Sequence, residues 1–247
     1  MKAAPEAQLR LLDLQQLDST LDRLAHRRRV LPELAEYADL ERRSAELRDS
    51  IVAAETDVSD LDREQVKAEK DVDSVRQRAD RDRDRLDSGQ VSSARDLENL
   101  QSEIASLQRR QADLEEVVLE IMERRETAEA KLAGLRRAQE EQQAKLAEVA
   151  ERRDNALREL DDEAGLSSTA RTAVAKDIPD DLLQLYERLR AQLSGVGAAA
   201  LLRGQCQGCH LALNTVDLNH LRNAPPDEVI RCEECRRILI RTAESGL

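Results

Sequence analysis

The sequence predicts a mainly α-helical protein, in which a long, kinked antiparallel coiled-coil hairpin precedes a small C-terminal domain built around four cysteines. Aromatic residues make up 1% of the 247 residues, and Phe and Trp are absent. Such a chain lacks the large side chains that fill a wide core. Its apolar residues recur instead at alternating spacings of three and four, which indicates helices that pack along a narrow seam. All four cysteines lie after residue 205.

The first helix is predicted to break after about thirty residues. Pro5 suits the first turn of a helix, and a leucine seam follows it. Pro32 removes a backbone donor and clashes with the preceding turn. We therefore expect a kink or short break at residues 30–33. The seam leucines are Leu14, Leu17, Leu21, Leu24 and Leu31.

Two seams of similar length flank a turn. The first resumes after Pro32 and ends at Leu86, and the second runs from Leu97 to Leu160. Residues 87–93 have the composition of a turn, and Ser92 or Ser93 can cap the next helix. Counted from Leu14 through the kink to Leu86, the first seam matches the second in length, which predicts an antiparallel hairpin over residues 1–165. An intermolecular coiled coil is the alternative, because the seam does not encode the number of strands, so monomer and homodimer both stay open.

The C-terminal third is predicted to contain a linker, a docking helix and a small mixed domain. Gly165 is expected to end the second long helix. Residues 166–197 then form a linker and a short helix whose Tyr186 packs on the open end of the hairpin. Residues 198–247 form the last domain. Its predicted elements are strands at residues 198–202, 229–231 and 238–241, and a helical turn capped by Asn214 or Thr215.

The cysteines form two Cys-x-x-Cys pairs separated by 22 residues: Cys206 and Cys209, then Cys232 and Cys235. Each two-residue gap lets a tight turn aim two thiolates at one ion, which suits tetrahedral Zn²⁺. Gly204 and Gly208 would supply the permissive backbone of the first turn. Four cysteine ligands leave no open coordination position. We therefore predict one structural Zn²⁺, held by these four residues in a small ribbon that unfolds without metal.

The cysteines allow three alternatives to a site in which all four bind zinc. Disulfides or idle thiols are disfavoured, because the N-terminus does not resemble a secretory segment and a cytoplasmic protein seldom keeps disulfides. Iron in a rubredoxin-like carrier is disfavoured, because the only aromatic residues are Tyr37 and Tyr186. His210 or His220 could replace one cysteine, but the four cysteines already form a complete set.

Charge and motifs narrow the function. The net charge is −12, whereas residues 197–247 hold six arginines and six acidic residues, so the deficit lies in the helical part. Such a molecule repels a polyanion at long range. No apolar run approaches the length of a transmembrane helix. No nucleophile–base pair, phosphate-binding loop or paired-carboxylate motif stands out, so we predict a cytoplasmic protein without catalytic residues or a small-molecule substrate.

The layout resembles a family of bacterial coiled-coil proteins that end in a C4-type zinc ribbon and are related to flagellar regulators. The resemblance rests on Ser88-Gly89-Gln90-Val91-Ser92 at the turn, residues 97–104 and 183–190, and the motifs around both cysteine pairs. It implies a kinked hairpin with the ribbon near both termini, zinc on the four cysteines, and an adaptor role. Some flagellated relatives are linked to an alternative sigma factor, secretion components and RNA. The family usually has Gly after the last cysteine, where this chain has Arg236.

Two functions follow from these observations. The leading one is a non-enzymatic adaptor, in which a coiled-coil arm presents a structural zinc ribbon to a protein partner in transcriptional or secretion-related regulation. The alternative is a regulator that binds RNA or DNA through arginines of the ribbon, since Arg suits phosphate. The candidate contacts are Arg203, Arg222, Arg231, Arg236, Arg237 and Arg241.

Overall fold

A computed structural model describes residues 1–89, 91 and 93–247. The described residues form five α-helices and four short β-strands, which confirms the mainly α class. The helices are α1 (Pro5–Arg29), α2 (Pro32–Asp87), α3 (Ala94–Lys176), α4 (Asp180–Gln192) and α5 (Thr215–Asn223), and the strands are β1 (Ala198–Leu202), β2 (Gln205–Cys206), β3 (Ile230–Arg231) and β4 (Ile238–Ile240).

Proline sets the break near residue 30. Helix α1 ends at Arg29 and α2 begins at Pro32, so the break that Pro32 predicts is confirmed. Pro5 opens α1 and Pro32 opens α2, each in a first turn where its missing N–H has no intrahelical partner. Asn214 caps α5, because its side chain accepts a hydrogen bond from the backbone N–H of Asp217. The predicted cap at Ser92 lies outside the described residues.

The prediction that Gly165 ends the second long helix is wrong. Helix α3 continues to Lys176, so residues 166–176 are helical and not a linker. A glycine costs about 1 kcal/mol in a helix interior, and other contacts hold this turn. The hydroxyl of Thr169 bonds back to the carbonyl of Gly165. Arg171, six residues after Gly165, forms ion pairs with Asp18 and Glu187.

Residues 36–149 form one compact unit, in which α2 and α3 pair antiparallel. Gln142 Nε2 donates to the carbonyl of Leu40, Arg136 pairs with Glu55, and Arg78 pairs with Glu103. Rising numbers on α2 thus meet falling numbers on α3, which confirms the hairpin within one chain. The seam is narrow, because alanines alternate with larger residues along it. Its buried residues on α2 are Ile51, Ala54, Leu61, Ala68, Val72 and Ala79.

Residues 1–35 and 150–247 form the second unit. Its four-stranded sheet has the order β2-β1-β4-β3, with β1 and β4 parallel and the other pairs antiparallel. One face of the sheet packs on α1 and α4 through Leu11, Leu14, Leu182, Tyr186, Ile238 and Ile240. The other face packs on the cysteine side through Ala199, Leu201, Cys206, Leu221, Cys232 and Leu239. The three predicted strands, β1, β3 and β4, lie within one residue of their predicted bounds, whereas β2 was not predicted.

Tyr186 of α4 joins α1 to the entry of β1. Its hydroxyl donates to Asp18 Oδ2 at 2.7 Å and lies 3.2 Å from Gln15 Oε1. That amide oxygen also accepts from the backbone N–H groups of Gly197 at 2.7 Å and Ala198 at 3.3 Å. Tyr186 is fully buried and belongs to the same apolar cluster as Leu11 and Leu14 of α1. The polar contacts with Gln15 and Asp18 fix the position of the Tyr186 hydroxyl.

Tyr186 is expected to give the fold an alkaline limit. Burial, and next the hydrogen bond to Asp18, raise the pKa of Tyr186 above the ordinary value of 10.0. Above pH 10 the unfolded chain loses a proton that the folded chain keeps, so this contribution to stability is complete below pH 10 and is lost as the pH rises. The free energy of unfolding should then fall by up to about 1.4 kcal/mol per pH unit. Denaturant titrations from pH 8 to 11 should show a shallower slope for Tyr186→Phe, and equal slopes would contradict the assignment.

Candidate metal centre

Each cysteine pair sits on the same local turn. The backbone N–H of His210 donates to the carbonyl of Cys206 at 2.8 Å, and that of Arg236 donates to the carbonyl of Cys232 at 2.8 Å. The residue after each pair has a left-handed backbone, with φ of 60° at His210 and 63° at Arg236. The two turns are therefore structural copies, one following β2 and the other following β3.

The four sulfurs form a compact group. Cys206 Sγ lies 3.8 Å from Cys235 Sγ, and Cys209 Sγ lies 4.0 Å from Cys232 Sγ. All four lie within 4.8 Å of one another. A tetrahedron with Zn–S bonds of about 2.3 Å has S–S edges of about 3.8 Å, whereas a disulfide measures about 2.05 Å. The cysteines are free thiols, so the disulfide reading fails and the donor set fits one tetrahedral ion.

The environment of the thiols also suits a cation. Burial raises the pKa of the Cys206 thiol to about 12 and also raises that of Cys232. Burial opposes ionisation at Cys235 as well, but hydrogen bonds from the backbone and side chain of Arg237 outweigh it and lower the pKa of Cys235 to about 7. Backbone N–H groups of Gly208 and Cys209 point at the Cys206 sulfur. A divalent metal stabilises the thiolates that burial alone disfavours.

Two glycines shape the first turn for different reasons. Gly204 has a φ of +78°, which confirms that this position needs a permissive backbone. Gly208 is required by crowding instead. A Cβ there would lie 2.7 Å from Arg237 Cδ and 2.9 Å from the Cβ of Ala199. The side chain of Arg237 therefore packs directly over the first cysteine turn.

The histidines are not part of the sulfur group. Among the described residues, the side chains that come together as possible metal ligands here are the four cysteines alone. His210 is exposed, and its carbonyl accepts from Gln205 Nε2. His220 is exposed on α5. The sulfur geometry thus favours a Cys₄ site over a Cys₃His site.

The six arginines that the sequence nominates for nucleic acid fall into two groups. Arg241 donates to a series of backbone carbonyls between Leu221 and Glu228, and so holds the segment after α5 in place. Arg237 donates to the carbonyls of Val196 and Leu193. The remaining four are exposed, and they are Arg203, Arg222, Arg231 and Arg236. Composition alone did not reveal that Arg237 and Arg241 are structural.

Family models decide where the chain belongs. Residues 14–194 match the CT398-like coiled coil hairpin domain, and residues 205–239 match the C4-type zinc ribbon domain. The chain belongs to the CT398-like coiled-coil hairpin family. The ribbon match and the four clustered sulfurs identify the cofactor as one structural Zn²⁺, in preference to iron.

Relatives of this CT398-like protein extend over its whole length. An uncharacterized protein of Mycobacterium tuberculosis is 39% identical over 98% of both chains. A solved structure from Mycobacterium smegmatis is similar with a TM-score of 0.85 and 38% identity, covering 98% of this chain and 100% of the other. The structure of CT398 from Chlamydia trachomatis has a TM-score of 0.71 at 20% identity, covering 96% and 98%. This last likeness shows the fold alone.

No helix in the described residues is long and apolar enough to cross a membrane. The longest helices, α2 and α3, carry charged residues along their whole length.

Arg236 stores backbone strain that a glycine would relieve. An L-residue in the left-handed region costs about 1–2 kcal/mol. Glycine removes this cost, but it also raises the entropy of the unfolded chain, which cancels part of the gain in stability. We expect Arg236→Gly to stabilise the zinc-loaded ribbon by up to about 1 kcal/mol. The ion pair of Arg236 with Glu233 is exposed and contributes little.

The test compares melting temperatures and chelator titrations of Arg236→Gly with those of Arg236→Ala. Alanine also removes the side chain but keeps the backbone cost, so it should bring no gain. An equal effect of the two substitutions would assign the change to the side chain and contradict the strain.

Proposed function

We propose that this protein is a non-enzymatic adaptor, in which a coiled-coil hairpin and a structural zinc ribbon offer surfaces to a protein partner. The observation that carries the proposal is the complete donor set of the metal centre. We assign Cys206, Cys209, Cys232 and Cys235 as the ligands of one Zn²⁺. Four sulfurs at tetrahedral spacing fill the coordination sphere and leave no position for a substrate or an activated water.

The surface of the hairpin unit supports a binding role. Residues 36–149 hold 30 acidic and 20 basic residues, a net charge of −10 that accounts for most of the −12 of the chain. A long charged surface suits recognition of another macromolecule. The setting that we propose is transcriptional or secretion-related regulation, as the family resemblance implies.

A nucleic-acid-binding regulator is the second candidate. The exposed side chains of Arg203 and Arg222 favour it, whereas Arg231 is exposed but its Nε donates to the carbonyl of Arg236 at 2.7 Å. Arg237 and Arg241 do not, because backbone carbonyls already engage their guanidinium groups. Phosphate binding should weaken steeply between low and moderate salt, whereas an apolar protein interface should change little.

The test is chemical cross-linking in the native cells, followed by recovery of the protein with and without nuclease. The adaptor proposal expects a partner that survives nuclease and is lost with Cys232→Ser. His210→Ala, which lies beside the site but is not a proposed ligand, should retain the partner. Partners that vanish with nuclease, and with replacement of Arg203, Arg222 and Arg231 by Glu, would overturn the proposal in favour of nucleic acid.

A further inference from the structure

Three large apolar side chains of the hairpin unit point away from its seam. Val66 on α2 is 50% exposed, and Leu119 and Met122 on α3 are 60% and 45% exposed. The pairing of the two helices places residues 66 and 122 close to the same level, because Arg125 Nη1 on α3 donates to Gln65 Oε1 on α2 at 2.9 Å. The three side chains therefore share one stretch of the hairpin.

A groove runs along one side of the helix pair, next to one of these side chains. It has a volume of about 440 Å³ and is lined by Leu119, with Val72 and Val118 at its floor. Glu69, Asp73, Arg76 and Glu115 form its edges. Residues seven apart face the same way in a coiled coil. Val66 lies seven before Asp73 and Met122 lies seven after Glu115, so both continue the same side.

The same stretch carries the negative charge of the hairpin. Residues 55–73 and 113–129 contain fifteen acidic and five basic residues, a net charge of −10. The rest of the unit, residues 36–54, 74–112 and 130–149, contains fifteen acidic and fifteen basic residues. With Arg76, which also lines the groove, this stretch keeps a net charge of −9, so nearly all of the excess of the unit lies level with the exposed apolar residues.

Local ion pairs do not neutralise this side. Arg76 lies between Asp73 and Glu115, and Arg125 lies between Asp62 and Glu129. Glu69 accepts from the uncharged amide of Gln65, at 2.7 Å. Glu126 adds a further carboxylate seven residues after Leu119. The side thus presents an apolar strip with a net negative rim.

We propose that this acidic–apolar face, defined by Val66, Glu69, Glu115, Leu119 and Met122, docks a basic amphipathic helix of a partner protein. Such a helix would lay its apolar residues on the strip and its Arg or Lys residues against the rim. Residues 62–76 span about 21 Å, which corresponds to about four turns of a partner helix. A second copy of this chain is the wrong occupant, because it would bring the same carboxylates to the interface. The inference rests on the proposed adaptor role and names its partner class.

The test uses a fluorescent 18-residue peptide with leucines at i, i+3, i+4 and i+7 spacing and arginines on both flanks. A scrambled peptide has the same composition without the apolar face, and a third peptide has glutamate in place of arginine. Fluorescence anisotropy at 0.15 M NaCl should show binding of the first peptide at least tenfold tighter than binding of the other two. Equal binding of the scrambled peptide would show that net charge alone explains the binding, and the proposal would be wrong.

The matching protein variants are Leu119→Ser with Met122→Ser, and Val117→Ser as the control. Val117 is 42% exposed on the same helix, and the heptad pattern places it on the opposite side of the pair. The double variant should weaken binding at least tenfold and the control less than twofold, with unchanged helical circular dichroism in both. An equal loss of peptide binding in the control would contradict the proposed docking face. The proposal would also be wrong if sedimentation showed that the wild type is a dimer and the double variant a monomer.

The two proposals fail separately. Peptide binding should be the same in Cys232→Ser as in the wild type, because the face lies within residues 36–149. If the peptide does not bind but cross-linking still recovers a partner that depends on the ribbon, the docking face alone is wrong. Loss of the ribbon-dependent partner with intact peptide binding would overturn the proposed role of the ribbon alone.

Discussion

Replacing Cys232 by Ser is expected to abolish zinc retention and to unfold the cysteine side of the ribbon, while the helices stay folded. The apolar cluster on this side contains six buried residues, two of them the cysteines Cys206 and Cys232. So small a core depends on the metal, whose binding in comparable small domains corresponds to about 10–16 kcal/mol of folding free energy. We expect the two cysteine turns and α5 to lose their order.

The structure limits how far this unfolding spreads. The opposite face of the sheet packs on α1 and α4 in a separate cluster of eleven buried residues, which does not contain a cysteine. The sequence predicts that the whole ribbon unfolds without metal. With β1 and β4 anchored on the helices, we expect unfolding to stop at the sheet.

Segment-resolved hydrogen exchange, together with zinc analysis and circular dichroism at 222 nm, measures this outcome. Exchange should rise strongly at residues 205–237 and little in α1 and α4. His210→Ala is the control and should keep one zinc per chain. A collapse of the whole helical signal in Cys232→Ser would show that the helices depend on the metal and would contradict the two separate clusters.

Replacing Asp18 by Ala is expected to lower the free energy of unfolding by about 3–5 kcal/mol, the usual effect of removing one partner of a buried ion pair. The carboxylate is 1% exposed and accepts from Arg171 Nε at 2.6 Å and from the Tyr186 hydroxyl at 2.7 Å. Arg190 Nε lies 3.4 Å away. Without Asp18, two guanidinium groups and a buried hydroxyl face each other without their shared acceptor.

Asp22 provides the matched control, because it pairs with the same Arg190 at 2.8 Å but is 52% exposed. Asp22→Ala should cost less than about 1 kcal/mol, as exposed pairs do. Chemical denaturation of both variants at neutral pH measures the difference. Equal costs would show that Asp18 is not the centre of this junction.

The hairpin and the clustering of the four cysteines could be predicted from the sequence because their signals are local. The three-and-four spacing of leucines, the effect of Pro32 and the turn composition before Ala94 each act within a few residues. The two Cys-x-x-Cys spacings likewise fix the geometry of each cysteine turn. The two turns are expected to meet because one tetrahedral ion takes two ligands from each of them.

The junction of α1, α4 and β1 could not be predicted in the same way. Gln15 and Asp18 are polar residues in a helix whose seam was traced through leucines, yet both are buried. Their partners, Arg171, Tyr186 and Gly197, lie more than 150 residues away in the sequence. Only the fold brings these groups together.

Two local rules were overruled by tertiary contacts. Glycine is common where helices end, but the helix continues past Gly165, and the ion pairs of Arg171 with Asp18 and Glu187 hold the part that follows. Arg241 carries a charge that suits contact with phosphate, but its guanidinium donates to backbone carbonyls after α5 instead. In both cases the residue type is ambiguous until its neighbours are known.

The central claim is a saturated, structural metal centre, and X-ray absorption at the zinc edge of the purified protein tests it most directly. We predict one zinc per chain with four sulfur neighbours at about 2.3 Å, unchanged in His210→Ala and His220→Ala. A nitrogen or oxygen neighbour, or iron in place of zinc, would open the coordination sphere or change its chemistry and would contradict the account.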